Sequence, residues 1–259
     1  EGGRIVPAPP AGGPITLGFD EYFGTDVPNW PYDTTRQRTM AMGDPVYLEQ
    51  FTDGPGGWYG WISNAGGPKS LEWQDHQVTS RSPWWIDYNH APPGAGYLHM
   101  LFCTFTRGSI AEHYAEVGGP HRLAAGEFPT DYTNARFALR LRGELEKRDA
   151  ELLLLVQATV AGTTSAWVLT GQPIEVGGGE WAERTVCAEP DPAQWTCMGG
   201  RHDRTDCYGY VDLETVLADV NIDIMFILFP LTVRPMGEID GDPHVLRPGK
   251  DYPVWQSSL

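Results

Sequence analysis

The stretch ELLLLVQATVAG, residues 151–162, carries an apolar side chain at every even position: Leu152, Leu154, Val156, Ala158 and Val160. Side chains alternate between the two faces of an extended chain, so this spacing predicts a β-strand with one uniformly buried face. The odd positions run Leu153, Leu155, Gln157, Thr159, and the second face therefore turns polar toward one end. NIDIMFILFPL, residues 221–231, repeats the pattern. Its even face (Ile222, Ile224, Phe226, Leu228) is core, while its odd face opens with Asn221 and Asp223 and becomes apolar at Met225. Strands this long and this apolar must lie against a second layer. No alternation of strands with 10–15-residue helical patterns appears, which speaks against a parallel α/β sheet.

The neighbouring segments extend the reading. In RFALRLRG (136–143), Phe137, Leu139 and Leu141 alternate with Ala138, Arg140 and Arg142, a strand with one wet face. DLETVLADV (212–220) reads as a two-turn helix. Asp212 suits the N-cap, Glu214 the first turn, and Leu213, Val216, Leu217 and Val220 form its apolar stripe. ITLGFDEYF (15–23) is the first strand, and residues 24–96 are broken by GDP, DGPGG, NAGGP and APPGAG into long loops with a few short strands. Residues 1–14, EGGRIVPAPPAGGP, read as an extended arm. The expectation is an all-β fold in one domain over 15–259, an antiparallel β-sandwich of jelly-roll type with long loops and one or two short helices. The absence of a 20–50-residue repeat argues against a propeller.

Composition agrees. Glycine (31) and proline (22) take about a fifth of the 259 positions, against roughly 12% in average usage. A chain of this length buries about 70–75% of its unfolded surface and needs no metal or disulfide to fold. Net charge is −16, and the basic residues are nearly all arginine, with lysine only at 69, 147 and 250. Such a surface repels phosphate backbones, so no nucleic-acid partner is expected. No run of 18 apolar residues crosses a bilayer, so no membrane partner is expected either. No charged-then-apolar leader opens the chain, and secreted, periplasmic and cytoplasmic settings all stay open. Cys103, inside YLHMLFCTF, reads as a buried thiol; Cys187, Cys197 and Cys207 are spaced ten apart, close enough for one disulfide among them.

Three segments carry candidate chemistry. Trp58, Tyr59, Trp61, Trp73, Trp84, Trp85 and Tyr88 form an aromatic belt, whose indoles offer flat surface for a sugar ring or cap one end of the sandwich. WWIDYNHAPPGAGYLHM (84–100) supplies Asp87, Asn89, His90 and His99, with His90 held on a stiff proline turn. His99 shares strand parity with Leu101 and Cys103, which favours a core histidine. GGRHDRTDCYG (199–209) packs Arg201, His202, Asp203, Arg204 and Asp206 between glycines. Two readings stand for it: a solvated loop with incidental ion pairs, or an acid–base site. In the second, Asp203 orients His202 as general base and Arg201 or Arg204 holds an anionic oxygen. In EIDGDPH (238–244), Asp240 and Asp242 flank a glycine and suit a structural calcium.

The opening FDEYF (19–23), the strand ARFALRLRG (135–143), the segment from Trp181 to Gly199 and the closing VNIDIMFILF (220–229) occur in an order that resembles the galactose-binding-like sandwiches, which include many carbohydrate-binding modules. The resemblance implies a ligand face for sugars and commonly a structural calcium. The chain is longer than such modules, and a final strand after Trp255 is not evident. No serine-hydrolase elbow, P-loop, dinucleotide fingerprint or zincin helix motif is present. The expected function is a carbohydrate-active enzyme, a lyase or hydrolase working through His202 or His90 on a small-molecule or glycan ligand, with no required cofactor. The alternatives are a non-catalytic carbohydrate-binding protein and a structural sandwich that assembles into a homo-oligomer.

Overall fold

The computed structural model describes residues 16–18, 45–63, 67–81, 97–107, 115–145, 147, 150–200 and 206–231, and at 16–18, 61–63, 67, 97 and 115 the backbone alone. Its strands are β1 (Thr16–Gly18), β2 (Gly60–Ser63), β3 (Gly67–Lys69), β4 (Glu72–Gln74), β5 (Gln77–Thr79), β6 (Tyr97–Phe105), β7 (Arg136–Arg142), β8 (Glu151–Val160), β9 (Thr163–Val168), β10 (Ala182–Cys187), β11 (Thr196–Cys197) and β12 (Asp223–Leu231). The α-helices are short: α1 (Ala115–Gly118), α2 (Arg122–Ala125) and α3 (Leu213–Ala218). The class is all-β, as the strand periodicities require.

Two five-stranded sheets carry the architecture, one in the order β10-β7-β1-β5-β4 (sheet A), the other β11-β9-β8-β12-β6 (sheet B). Every strand pairing within them is antiparallel. Strands β8 and β9 form a hairpin closed by Ala161 and Gly162, both with positive φ (49° and 87°). Two consecutive left-handed residues give the turn whose twist matches its strands. The β4–β5 hairpin uses the same device at Asp75 and His76 (52° and 60°).

The main apolar cluster draws on both sheets. Val78, Leu139, Leu141 and Val186 of sheet A join Leu152, Leu154, Val156, Ala158, Ile224, Phe226 and Leu228 of sheet B. The predicted even faces of β8 and β12 are thus core. The odd face is also buried: Leu153, Leu155, Met225, Ile227 and Phe229 form a second cluster with Tyr59, Cys103 and Phe105. The helix predicted over 212–220 forms as α3. Asp212 Oδ1 accepts from the Thr215 N–H at 2.9 Å, and Leu213, Val216 and Leu217 are buried against the main cluster.

The alternation predicted for β6 breaks at a bulge. Cys103 faces Met225 and Phe102 faces Phe226, but Ile227 pairs with Met100, so Leu101 is the extra residue. A bulge reverses side-chain parity beyond it. Leu101 and Phe102 both enter the main cluster, whereas Cys103 and Met100 lie in the second. His99 therefore shares a face with Leu228 and not with Cys103. All four cysteines are free thiols, so the disulfide considered among Cys187, Cys197 and Cys207 is absent. Among the described residues, no helix is long and apolar enough to cross a membrane.

Candidate functional site

Sheet A turns one face to the core, and its other face carries the polar alternates of its strands. On β7 these are Arg140 and Arg142. The register sets Arg140 opposite Glu183 of β10. The same register pairs Ala182 with Leu141, so Trp181, one residue earlier, arrives beside the end of β7. A glycine turn delivers it, with the Glu180 N–H donating to the Gly177 carbonyl at 3.0 Å. The Arg142 guanidinium carbon lies 4.4 Å from the centre of the Trp181 ring and that of Arg140 lies 4.9 Å away. Two like charges on one strand face repel, and the shared indole offsets part of that through its quadrupole.

The wet face predicted for this strand is only partly wet. Arg142 is 3% exposed. Its Nη2–H donates to Gln77 Oε1 at 3.0 Å, while Nη1 is buried with no acceptor. Trp181 Nε1 is likewise buried with no acceptor. Burial, and then the charge of Arg140, push the Arg142 pKa down, while Glu180 opposes them. A guanidinium nevertheless stays charged at any physiological pH. A buried donor left unmade costs about 1–3 kcal/mol, more when charged. Two such donors at one place describe a site shaped for an acceptor that none of the described residues supplies.

A second polar group sits on the odd face of sheet B. Asp223 is 4% exposed, lies opposite Gln157 across β12 and β8, and leaves Oδ1 unpaired; Gln157 Oε1 is unpaired as well. Burial pushes the Asp223 carboxyl up to about 8. Next to it in the sheet, Cys103 contacts the Tyr59 hydroxyl at 3.0 Å, and burial holds its thiol well above the usual range.

A third cluster is structural. The buried Glu49 carboxylate accepts from Tyr47 Oη (2.6 Å), the Phe51 N–H (2.8 Å) and Arg122 Nε and Nη2 (3.0 and 2.5 Å), so every lone-pair direction is used. Gly56 lies against this group, and Gly57 against the neighbouring His121, because nothing larger fits. A Cβ on Gly56 would stand 2.2 Å from Glu49 Oε2, and one on Gly57 2.6 Å from the His121 Cα.

The predicted site residues divide clearly. Trp58 is 1% exposed and stacks on Phe226 at 6.0 Å, a core side chain with no ligand-facing surface. Trp73, 44% exposed on edge strand β4, has its indole N–H fixed on the Phe51 carbonyl at 2.7 Å. The backbone of Trp61 lies on β2 opposite Pro68. His99 is buried at 1% exposure, and burial followed by the charge of Lys69 pushes it down to about 3, so it is a neutral core imidazole. Trp84, Trp85, Tyr88, Asn89, His90, Arg201, His202, Asp203, Arg204, Asp240 and Asp242 lie outside the described residues. Both ends of the segment that holds His202 are fixed on β9: the Met198 N–H donates to the Ala166 carbonyl (2.9 Å), and the Thr164 N–H to the Cys207 carbonyl (2.6 Å). Among the described residues no group of three or more His, Cys, Asp or Glu side chains is placed to hold a metal.

Sequence reading passed over Arg142, Trp181 and Gln77. The signal was present in RFALRLRG, where Arg136, Arg140 and Arg142 share one strand face with no acid between them. Like charges about 7 Å apart on a sheet need a compensating group or a ligand. No protein-family model, curated protein or solved structure matches the chain.

Proposed function

We propose that the protein is a carbohydrate-binding β-sandwich of jelly-roll form whose ligand face is the polar side of sheet A. Support for the sandwich comes from the chain path. From β6 onward successive strands pass from sheet B to A at β7, back to B at β8 and β9, to A at β10 and back to B at β11 and β12, while one apolar cluster takes side chains from both.

The ligand face rests on one observation: Arg142 Nη1 and Trp181 Nε1 are buried donors without acceptors, beside Gln77 and Arg140. Planar hydrogen-bonding side chains set around an indole are what a polyhydroxylated ring requires, because its oxygens accept while its C–H surface meets aromatic edges. Binding is favoured over turnover here because the described strands of this face carry no histidine. The lyase or hydrolase reading rests on His202 and His90, and nothing described brings them to this face.

The test is titration calorimetry against a panel of oligosaccharides, with Trp181→Ala as the variant. Binding by the wild type that falls at least tenfold in Trp181→Ala supports the reading. Equal affinity in both proteins moves the ligand face elsewhere.

A further inference from the structure

Resting on that reading, we infer that the Arg142–Trp181 subsite recognises a carboxylate, and that the ligand is a uronate-containing glycan. Three observations lead there. Both open groups are donors and neither is an acceptor, so the missing partner presents lone pairs only. A neutral hydroxyl oxygen can accept from both donors but brings its own proton into the site, whereas a carboxylate accepts at both oxygens and carries none.

The second observation is charge. Arg140 and Arg142 lie within 5 Å of one ring centre, and the exposed Glu180 attracts Arg142 without forming a hydrogen bond to it. Two guanidinium groups are gathered here on a chain of net −16, with Glu183 opposite Arg140 in the register. The global field disfavours a densely charged polyanion, so the ligand brings a single charge to this point.

The third is geometry. With Nη2 donating to Gln77, the open donors sit on two nitrogens of two planar side chains, Arg142 Nη1 and Trp181 Nε1. A carboxylate brings two oxygens, one for each nitrogen. A sulfate or phosphate would carry further oxygens into a covered place where no other open donor is found among the described residues, leaving them unpaired at a cost. Arg142 is covered by its neighbours, so a sugar ring that reaches it from the solvent side of the sheet must displace part of that cover.

The experiment uses trisaccharides of galacturonate, glucuronate, mannuronate and guluronate, each as free acid and as methyl ester, with the matching neutral trisaccharides, titrated into the full chain. At least one acid is expected to bind, with its ester about tenfold to a hundredfold weaker, the worth of hydrogen bonds to a charged group. Trp181→Phe removes the indole N–H while keeping an aromatic ring, and should weaken the acid about tenfold with the ester unchanged. Arg142→Gln should bring the acid to the level of its ester. Esters or neutral sugars binding as tightly as the acid overturn the carboxylate inference and leave the saccharide reading standing. An acid preference of undiminished size in Trp181→Phe also overturns it, and this variant stays informative if Arg142→Gln does not fold. If no member of the panel binds, both readings fall together.

Discussion

Replacing Asp223 by Asn should abolish a pH dependence of stability that the wild type shows between about pH 4 and pH 8. The carboxyl is raised from 3.8 to about 8, and burial is the whole cause. Below about pH 4 the group is protonated in both folded and unfolded chains and adds nothing to the difference. Between the two values the folded protein keeps a proton that the unfolded chain releases, so rising pH draws the equilibrium toward the unfolded chain at about 1.4 kcal/mol per unit. Above about pH 8 both states are ionised and the full penalty stands. Roughly four units make about 5–6 kcal/mol, with no discount for solvent screening because the side chain is fully buried. Asn keeps the shape, and its amide places a donor near the open Gln157 oxygen. Urea titrations of both proteins at unit pH intervals from 4 to 9 read the effect as a difference. The curves should lie close together at pH 4 and diverge with rising pH, the variant being more stable at pH 8 by several kcal/mol. A gap that stays constant from pH 5 to pH 8 would refute the reasoning, since it would mean that Asp223 titrates alike in both states.

Further outcomes follow from the same geometry. Arg122→Ala strands the Glu49 carboxylate, which is 2% exposed, and should cost about 3–5 kcal/mol by urea unfolding. Asp53→Ala removes a partner of the same guanidinium that is 78% exposed, and should cost no more than about 1 kcal/mol. Gly57→Ala drives a Cβ into the His121 backbone and should lower the melting temperature far more than Gly162→Ala, where the new atom meets nothing within 4 Å and only the positive φ opposes it. Cys103 should resist iodoacetamide at pH 8 in the native protein and react only after unfolding, because burial encloses its thiol and holds its pKa up; labelling followed by peptide mapping reads this directly.

Period-two patterning made the sheets legible because it reports burial on a pleated chain whatever the partner strand. Strands β7, β8 and β12 and helix α3 all appear where their apolar spacing and the Asp212 cap predict them. Parity along β6 was not legible. A bulge is set by the partner strand, and nothing in YLHMLFCTF marks Leu101 as the inserted residue. His99 therefore lies opposite Leu228 and apart from Cys103. The second buried face of sheet B was only half visible, since apolar Leu153 and Leu155 pointed to it while Gln157 and Asp223 suggested solvent. Polar side chains are assigned to water by default, and only coordinates show which ones the fold encloses. The same default hid Arg142. Trp58 misleads in the opposite direction: a tryptophan in a glycine-rich loop suggests a platform, yet here the glycines let the loop press its indole onto Phe226. The Glu49–Arg122 pair spans 73 residues and left no local mark beyond Gly56, which makes room for it.

A crystal structure of the protein with the tightest-binding uronate trisaccharide tests the central claim most directly. The account predicts a sugar carboxylate whose oxygens stand within about 2.7–3.2 Å of Arg142 Nη1 and Trp181 Nε1. A ligand seated elsewhere, with those two nitrogens still unpaired, would contradict it.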